Sequence, residues 1–515
     1  MNQLPALFRA IGLPPRLLLA GVLPVAGLCA AWAAFVPDHF RPLDVPAARA
    51  AETPQQPIHL AQGVMAGEVT ETTVLLQARL TATAGKQGDD VPGAPGVARF
   101  EYAANADFKD SRTTSWKTAA AEGDFIVCWK VAELQPDTVY HYRLHYGAEA
   151  GQAQPGPTAT FRTHPGVSGS RPVSFVVVTG MNYHYFHHGQ GNRPAYAGAD
   201  REQGFPALVS ILKLQPDFFV GTGDNIYYDA PRDTAATAVA EMRRKWHEQF
   251  VQPRFVDLFA RVPCCWEKDD HDYRYDDCDN RPGRLPTVAD GLAVFREQVP
   301  VVDPEDPAAV TYRTIRVSKE LQVWFVENRD YRSPNLSPDG PEKTIWGAEQ
   351  SRWLKQTLLE STAVFRLVIS PTPMVGPDDA RKKDNHTNIG GFRHEGDAFH
   401  EWLKREGFLK KNFYWICGDR HWQYHAENPT GFEEFSSGAL VDANSRLGRK
   451  PGDPQSTDPA GLIKQHYTQS EPSGGFLHVA IVPATSTAPA SAVFTFHDEN
   501  GKVLYTHTKL DQTHR

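Results

Sequence analysis

Several short apolar runs in this sequence end within a few residues of carboxylates and imidazoles. Phe218-Phe219-Val220 leads into Gly221-Thr222-Gly223-Asp224-Asn225-Ile226-Tyr227. Val262 to Trp266 leads into Glu267-Lys268-Asp269-Asp270-His271-Asp272, and Phe413 to Cys417 into Gly418-Asp419-Arg420-His421. Carboxylates with one or two imidazoles form hard donor sets that suit iron, manganese, calcium or zinc better than a soft thiolate site would. Cations held by a shared carboxylate acidify a bound water, neutralise phosphate oxygens and stabilise a leaving oxygen, which is what phosphoester hydrolysis requires. The glycines before Asp224 and Asp419 are expected where backbone approaches a metal or phosphate closely.

Each candidate has an ordinary reading beside the functional one. Asp224 is a metal ligand or a helix cap; Tyr227 is a ligand or, like its neighbour Tyr228, packing. Asp270 and His271 lie in an acid-rich stretch, Asp269 to Asp279, in which Asp276, Asp277 and Asp279 read as solvated acids. Asp419 and His421 close a buried strand, whereas His425 reads as a neighbour. Arg329 and Arg332 either clamp substrate phosphate or pair with Glu327 or Asp330. His184, His187 and His188 read as a solvated loop, and the polar stretches Asp384 to Asn388 and Phe392 to Gly396 as a cleft cover or a simple connection.

What must position these residues is a set of mostly apolar strands: Phe175 to Val178, Phe218 to Val220, Val262 to Trp266, Leu321 to Val326, Phe365 to Ile369 and Phe413 to Cys417. Such runs suit strands buried on both faces. Between them lie expected helices over 204–214, 235–259, 289–298, 348–360 and 396–406, which makes an α/β layered domain. An open sheet gathers ligands at the carboxyl ends of its strands, so one sheet is expected to carry the site. Upstream, alternating runs over 73–80, 98–103, 125–131 and 138–146, separated by turns, predict a small β-sandwich. Leu134-Gln135-Pro136-Asp137-Thr138-Val139-Tyr140 within it resembles the proline turn and tyrosine-bearing strand of a fibronectin-type sandwich.

Taken together, Pro216-Asp217, Gly223 to Tyr227, Asp269-Asp270-His271-Asp272, Arg329-Asp330-Tyr331-Arg332, Gly347 with Gln350 and Trp353-Leu354, and Gly418-Asp419-Arg420-His421 resemble the PhoD-like alkaline phosphatase and phosphodiesterase family. The resemblance implies a layered α/β metallophosphoesterase sandwich over 172–515, preceded by the fibronectin-type sandwich over 58–165. It also implies that Asp224 bridges cations, Tyr227 binds ferric iron, Asp270 is a further ligand, and Asp419 and His421 complete the site. Iron with calcium is the implied metal pair, with manganese or zinc as substitutes, and His271, Arg329 or Arg332 would stabilise charge during hydrolysis of monoesters or diesters. One position departs from the pattern. Where the family usually reads Ser-Cys-Gln-Asn-Tyr, with the cysteine on iron, this chain reads Thr179-Gly180-Met181-Asn182-Tyr183. Asn182 is the candidate replacement ligand, or the metal differs. The alternative to an enzyme is a binding protein on a retired phosphatase scaffold.

The bulk properties narrow the partners. The formal charge is −8, and removing residues 1–33, which hold Arg9 and Arg16 and no acid, takes it to −8 − 2 = −10. That balance gives no general attraction to nucleic acid or anionic lipid, so small-molecule or lipid phosphate esters are the expected partners. Arg9 and Arg16 precede an uncharged run from Leu17 to Val36 containing Ala31-Trp32-Ala33, which predicts export to the periplasm or exterior, with 1–36 a cleaved signal or a membrane anchor and 37–57 a linker. Besides Cys29, the cysteines are Cys128, Cys264, Cys265, Cys278 and Cys417, with one disulfide expected between Cys264 or Cys265 and Cys278.

Overall fold

The apolar runs become strands because both of their faces are covered. Along Val173–Val178, Val173, Phe175 and Val177 enter one core while Val176 and Val178 enter another, which is the two-residue alternation of a pleated strand. The computed structural model describes residues 57–512. The expected export segment, and the linker apart from its last residue, lie outside the described residues.

Two large sheets pack face to face. The nine-stranded sheet runs in the order Val503–Leu510, Ser491–Asp498, Gly475–Val482, Val173–Val178, Phe218–Thr222, Cys264–Glu267, Val64–Gly67, Val74–Arg79 and Ile126–Val131. The seven-stranded sheet runs Arg313–Arg316, Leu321–Phe325, Phe365–Ser370, Phe413–Cys417, Glu433–Ser437, Gln423–Glu427 and Lys464–Thr468. In each, the inner strands are parallel and the outer ones antiparallel. Phe175, Val220, Leu367 and Ile416 fill the layer between the sheets. Helices Pro206–Leu214, Val239–Phe250 and Pro253–Phe259 cover the first sheet through Leu208, Trp246 and Phe255. Gly347–Glu360 and Arg393–Arg405 cover the second through Leu354 and Phe399. The result is the expected layered α/β sandwich, except that two sheets, not one, carry it. The helix expected over 235–259 is two, because Pro253 has no N–H to continue the first and instead opens the second at its first position.

The upstream sandwich is also present, and it is joined to the core. Gly96–Ala103 and Val139–Gly147 lead a separate six-stranded sheet that faces Val64–Gly67, Val74–Arg79 and Ile126–Val131 across Phe100, Tyr142, Leu76 and Trp129. Those last three strands belong to the large sheet, Val64–Gly67 running parallel to Cys264–Glu267. Tyr140 Oη accepts from the Gln135 amide at 2.9 Å, which ties the proline turn to its strand.

The expected disulfide is absent: all five cysteines among the described residues are free. Cys264 and Cys265 are consecutive on one strand and so face opposite sides, each buried in a different core, while the Cys278 thiol donates to the Asp270 carbonyl at 3.5 Å.

Candidate metal centre

The carboxyl ends of the two sheets are brought together by backbone packing. A Cβ on Gly418 would lie 2.4 Å from the Thr222 carbonyl and 2.9 Å from that of Pro371, and one on Gly223 would lie 2.4 Å from Asp269 Cβ. Gly418 lets a loop of the second sheet interlock with the end of Phe218–Thr222 in the first, and Gly223 lets two neighbouring loops of the first sheet close on each other, so each permits a close approach of chain to chain. Asp224 and Asp419 follow them with φ of 53° and 55°. Left-handed backbone at a non-glycine residue costs of order 1–3 kcal/mol and persists where packing over-determines it, often at functional sites.

The interlock sets Asp224 against His421. Asp224 Oδ2 lies 2.9 Å from His421 Nε2 and accepts from Tyr227 Oη at 2.8 Å, and Tyr227 Oη is 3.3 Å from His421 Nε2. Ligand atoms of Asp224, Asp270 and His271 lie within 4.8 Å of one another, and those of Asp270, Asp276 and Asp277 do the same. Asp419 is buried beside them, paired with Arg420 and 3.9 Å from Lys382 Nζ. Asp224, Tyr227, Asp270, His271, Asp419 and His421 therefore converge in one cluster drawn from both sheets.

Its electrostatics are those of a cation site. Burial, reinforced by Asp270 and Asp419, pushes the Asp224 carboxyl up to about 7. Burial pushes Asp270 the same way, but His271, Arg329 and Lys382 outweigh it and hold that carboxyl below its usual range. For Asp419, burial is outweighed by Arg420 and Lys382, leaving it at about 2. Burial drives the His421 imidazole well below its ordinary value, so it is the neutral form, the one that ligates. His271 goes the opposite way: burial is overcome by Asp270, Asp224 and Asp229, its Nδ1 lying 2.7 Å from Asp229 Oδ1. Asp224 Oδ1 is buried without a hydrogen-bond partner, and so are both oxygens of Asp384. Orphaned carboxylate oxygens at a convergence of acids fit a divalent or trivalent cation and little else.

Not every expected residue joins the pocket as a ligand. Asn182 Oδ1 is committed to capping the helix Tyr183–His188, accepting from the Tyr185 amide at 2.9 Å, and its NH₂, buried without a partner, cannot ligate a cation. The same helix contains His184, His187 and His188, which sequence placed in a loop. Arg329 is wholly buried, bonded to Asp269 and, at 2.9 Å, to the Cys278 carbonyl. Arg332 donates to the carbonyls of Asp384 and Cys278. Both guanidiniums are buried and held by protein groups, Arg329 by Asp269 and the Cys278 carbonyl and Arg332 through its Nη atoms by two carbonyls. Asp279, expected to be solvated, is buried and accepts from the Asn335 amide at 2.9 Å.

Comparison with known proteins places this arrangement. The profile of the PhoD-like phosphatase matches residues 175–470, and that of the PhoD-like phosphatase N-terminal domain residues 46–165. The chain belongs to the PhoD-like phosphatase family. The solved structure of PhoD superposes with a TM-score of 0.67 at 16% identity, covering 88% of this chain and 91% of that one. Purple acid phosphatase PPD1 from yellow lupin seeds superposes with a TM-score of 0.56 at 13% identity, covering 86% and 73%. At these identities the likeness is one of fold. No curated protein matches by sequence.

Against the PhoD-like pattern, the glycine in the cysteine position proves to be built in. Gly180 has a φ of 66°, and a Cβ there would lie 2.8 Å from Ala439 Cβ and 3.3 Å from Asn444 Nδ2. Asn444 instead donates to Tyr227 Oη at 2.8 Å and to the Gly180 carbonyl at 3.2 Å. Gly180→Cys therefore strains the fold instead of restoring a thiolate: we expect it to lose about 1–3 kcal/mol of stability and to bind no more iron than wild type, as melting and elemental analysis will read. Asn444, Lys382 and Asp384 are the site residues that sequence reading did not assign. Asn444 sits in no motif and is far along the chain, and only the polar density around Asp384 gave any signal.

Proposed function

We propose that the protein hydrolyses phosphate esters with cations held by Asp224, Asp270, Asp419 and His421, with Tyr227 on Asp224. The observation that carries this reading is the buried, unpartnered Asp224 Oδ1 beside the convergent Asp270 and His271. Bound cations would polarise the phosphoryl group and lower the pKa of a water. The chain's own residues do the rest. His271, oriented by the contact of its Nδ1 with Asp229, lies among these acids and can donate a proton to phosphoryl or leaving-group oxygen. With Arg329 and Arg332 committed to the protein, charge on the ester falls to the cations, His271 and Lys382, whose ammonium lies among Asp277, Asp384 and Asp419. The donor set, oxygen with one or two imidazoles, supports iron with calcium, with manganese or zinc as substitutes. Monoesters and diesters of small molecules or lipids are the substrate class, met outside the cytoplasm after export by the N-terminal segment. Among the described residues no helix is long and apolar enough to cross a membrane.

The test is chelation and reconstitution. Purified protein should hydrolyse p-nitrophenyl phosphate or its bis ester, lose this on exhaustive chelation, and recover it with iron plus calcium. Turnover that persists through chelation rejects the metal reading, and no turnover with any metal favours the retired scaffold.

A further inference from the structure

A second cluster of imidazoles lies where the outer strands of the two sheets meet, and shares no residue with the centre described above. His425 comes from Gln423–Glu427, Glu433 from Glu433–Ser437, and His507 from Val503–Leu510, the edge of the nine-stranded sheet. One ligand atom from each lies within 4.8 Å of the other two. We propose that His425, Glu433 and His507 form a separate divalent-metal site, of the zinc type, that clips the two sheets together at this edge.

The hydrogen bonds already have the form such a site needs. Metal-bound imidazoles are usually oriented by a bond from the other ring nitrogen. Tyr505 Oη lies 3.2 Å from His425 Nδ1 and 3.3 Å from His507 Nδ1, so one hydroxyl orients both rings and leaves both Nε2 atoms for a cation. His425 Nε2 is 2.8 Å from Glu433 Oε2, and His507 Nε2 is buried with no partner at all. The ring centroids of His425 and His507 are 4.6 Å apart, and Phe435 stacks on His425 at 4.2 Å, which fixes its plane. His466, from Lys464–Thr468, stacks its ring 4.6 Å from that of His425 and turns its Nε2 to Glu427 at 3.2 Å, so it walls the cluster without joining it. Two neutral imidazoles with one carboxylate suit zinc, and a water would complete the tetrahedron.

The resident competitor is Lys509, whose Nζ lies 2.6 Å from Glu433. It must swing away when the ion binds, which long lysine side chains at a sheet edge do readily. That competition gives the proposal a signature that a purely structural cluster lacks: removing the ammonium should tighten metal binding.

The full chain, stripped by chelator and then equilibrated with zinc, is assayed for bound zinc by elemental analysis, beside His507→Gln and Lys509→Met. Expected are one equivalent fewer in His507→Gln, with ester hydrolysis unchanged, and several-fold tighter uptake of that equivalent in Lys509→Met. Equal zinc content in wild type and His507→Gln overturns the site. So does Lys509→Met that binds zinc no more tightly than wild type, and because this variant keeps every ligand, a folding defect in His507→Gln cannot decide the matter.

Discussion

Asp224→Asn should lower kcat/KM for phosphate esters by at least about a thousandfold, because it removes a carboxylate that would hold the proposed cations and with it several kcal/mol of charge stabilisation. The substitution is nearly isosteric. An asparagine oxygen can still accept from Tyr227 and its NH₂ can donate to the neutral His421, so the fold has no reason to fail. In metal-free protein the stability change should have the opposite sign. Asp224 is buried among Asp270 and Asp419, which together with desolvation push its carboxyl up to about 7, and neutralising it relieves that repulsion. Metal-free Asp224→Asn is therefore expected to melt at or above metal-free wild type while being inactive under every metal regime. Activity within tenfold of wild type after reconstitution would sink the assignment. A variant that is inactive because it unfolds would show a lowered melting point, so the two failures are distinguishable.

Arg329→Met should be the most destabilising single change in the loops beneath the site. Arg329 and Asp269 are both fully buried, and Arg329 also lies 3.7 Å from Asp270 and 4.0 Å from Asp384. Burial lowers the guanidinium's pKa, but Asp269 and Asp270 outweigh it and hold the pKa well above the ordinary value. Deleting the cation leaves carboxylates buried without compensation, which costs about 3–5 kcal/mol. Urea unfolding should show a lower midpoint at unchanged slope. If Arg329 instead clamped substrate, the same variant would raise KM and spare stability, and that result would place its guanidinium on the ester.

The upstream sandwich has a mechanical consequence for the centre. Val64–Gly67 runs beside Cys264–Glu267, the strand that delivers Asp269, Asp270 and His271. Arg313 links Glu68, just past the upstream strand, to the Trp266 carbonyl at 3.1 Å. The N-terminal strands thus brace one of the site's ligand-bearing strands instead of forming an appended module, as they do by sharing its sheet.

What the sequence alone determined is local. An apolar run reads as a buried strand because both faces must be filled, and an acid or imidazole directly after it is held at that strand's end. Hence Asp224, Asp270, His271, Asp419 and His421 could be named with their elements, and Phe413–Cys417 with its bounds. What the tertiary structure decided is who meets whom. That Asp224 and His421 come from different sheets, that Asp269 and the Asp384 carbonyl engage Arg329 and Arg332, and that Asn444 crowds the place of a thiol are outcomes of packing between segments far apart in the chain. Periodicity cannot supply them, because a buried charge is satisfied by whichever partner lies across space, and nothing in either residue's neighbours along the chain specifies that partner.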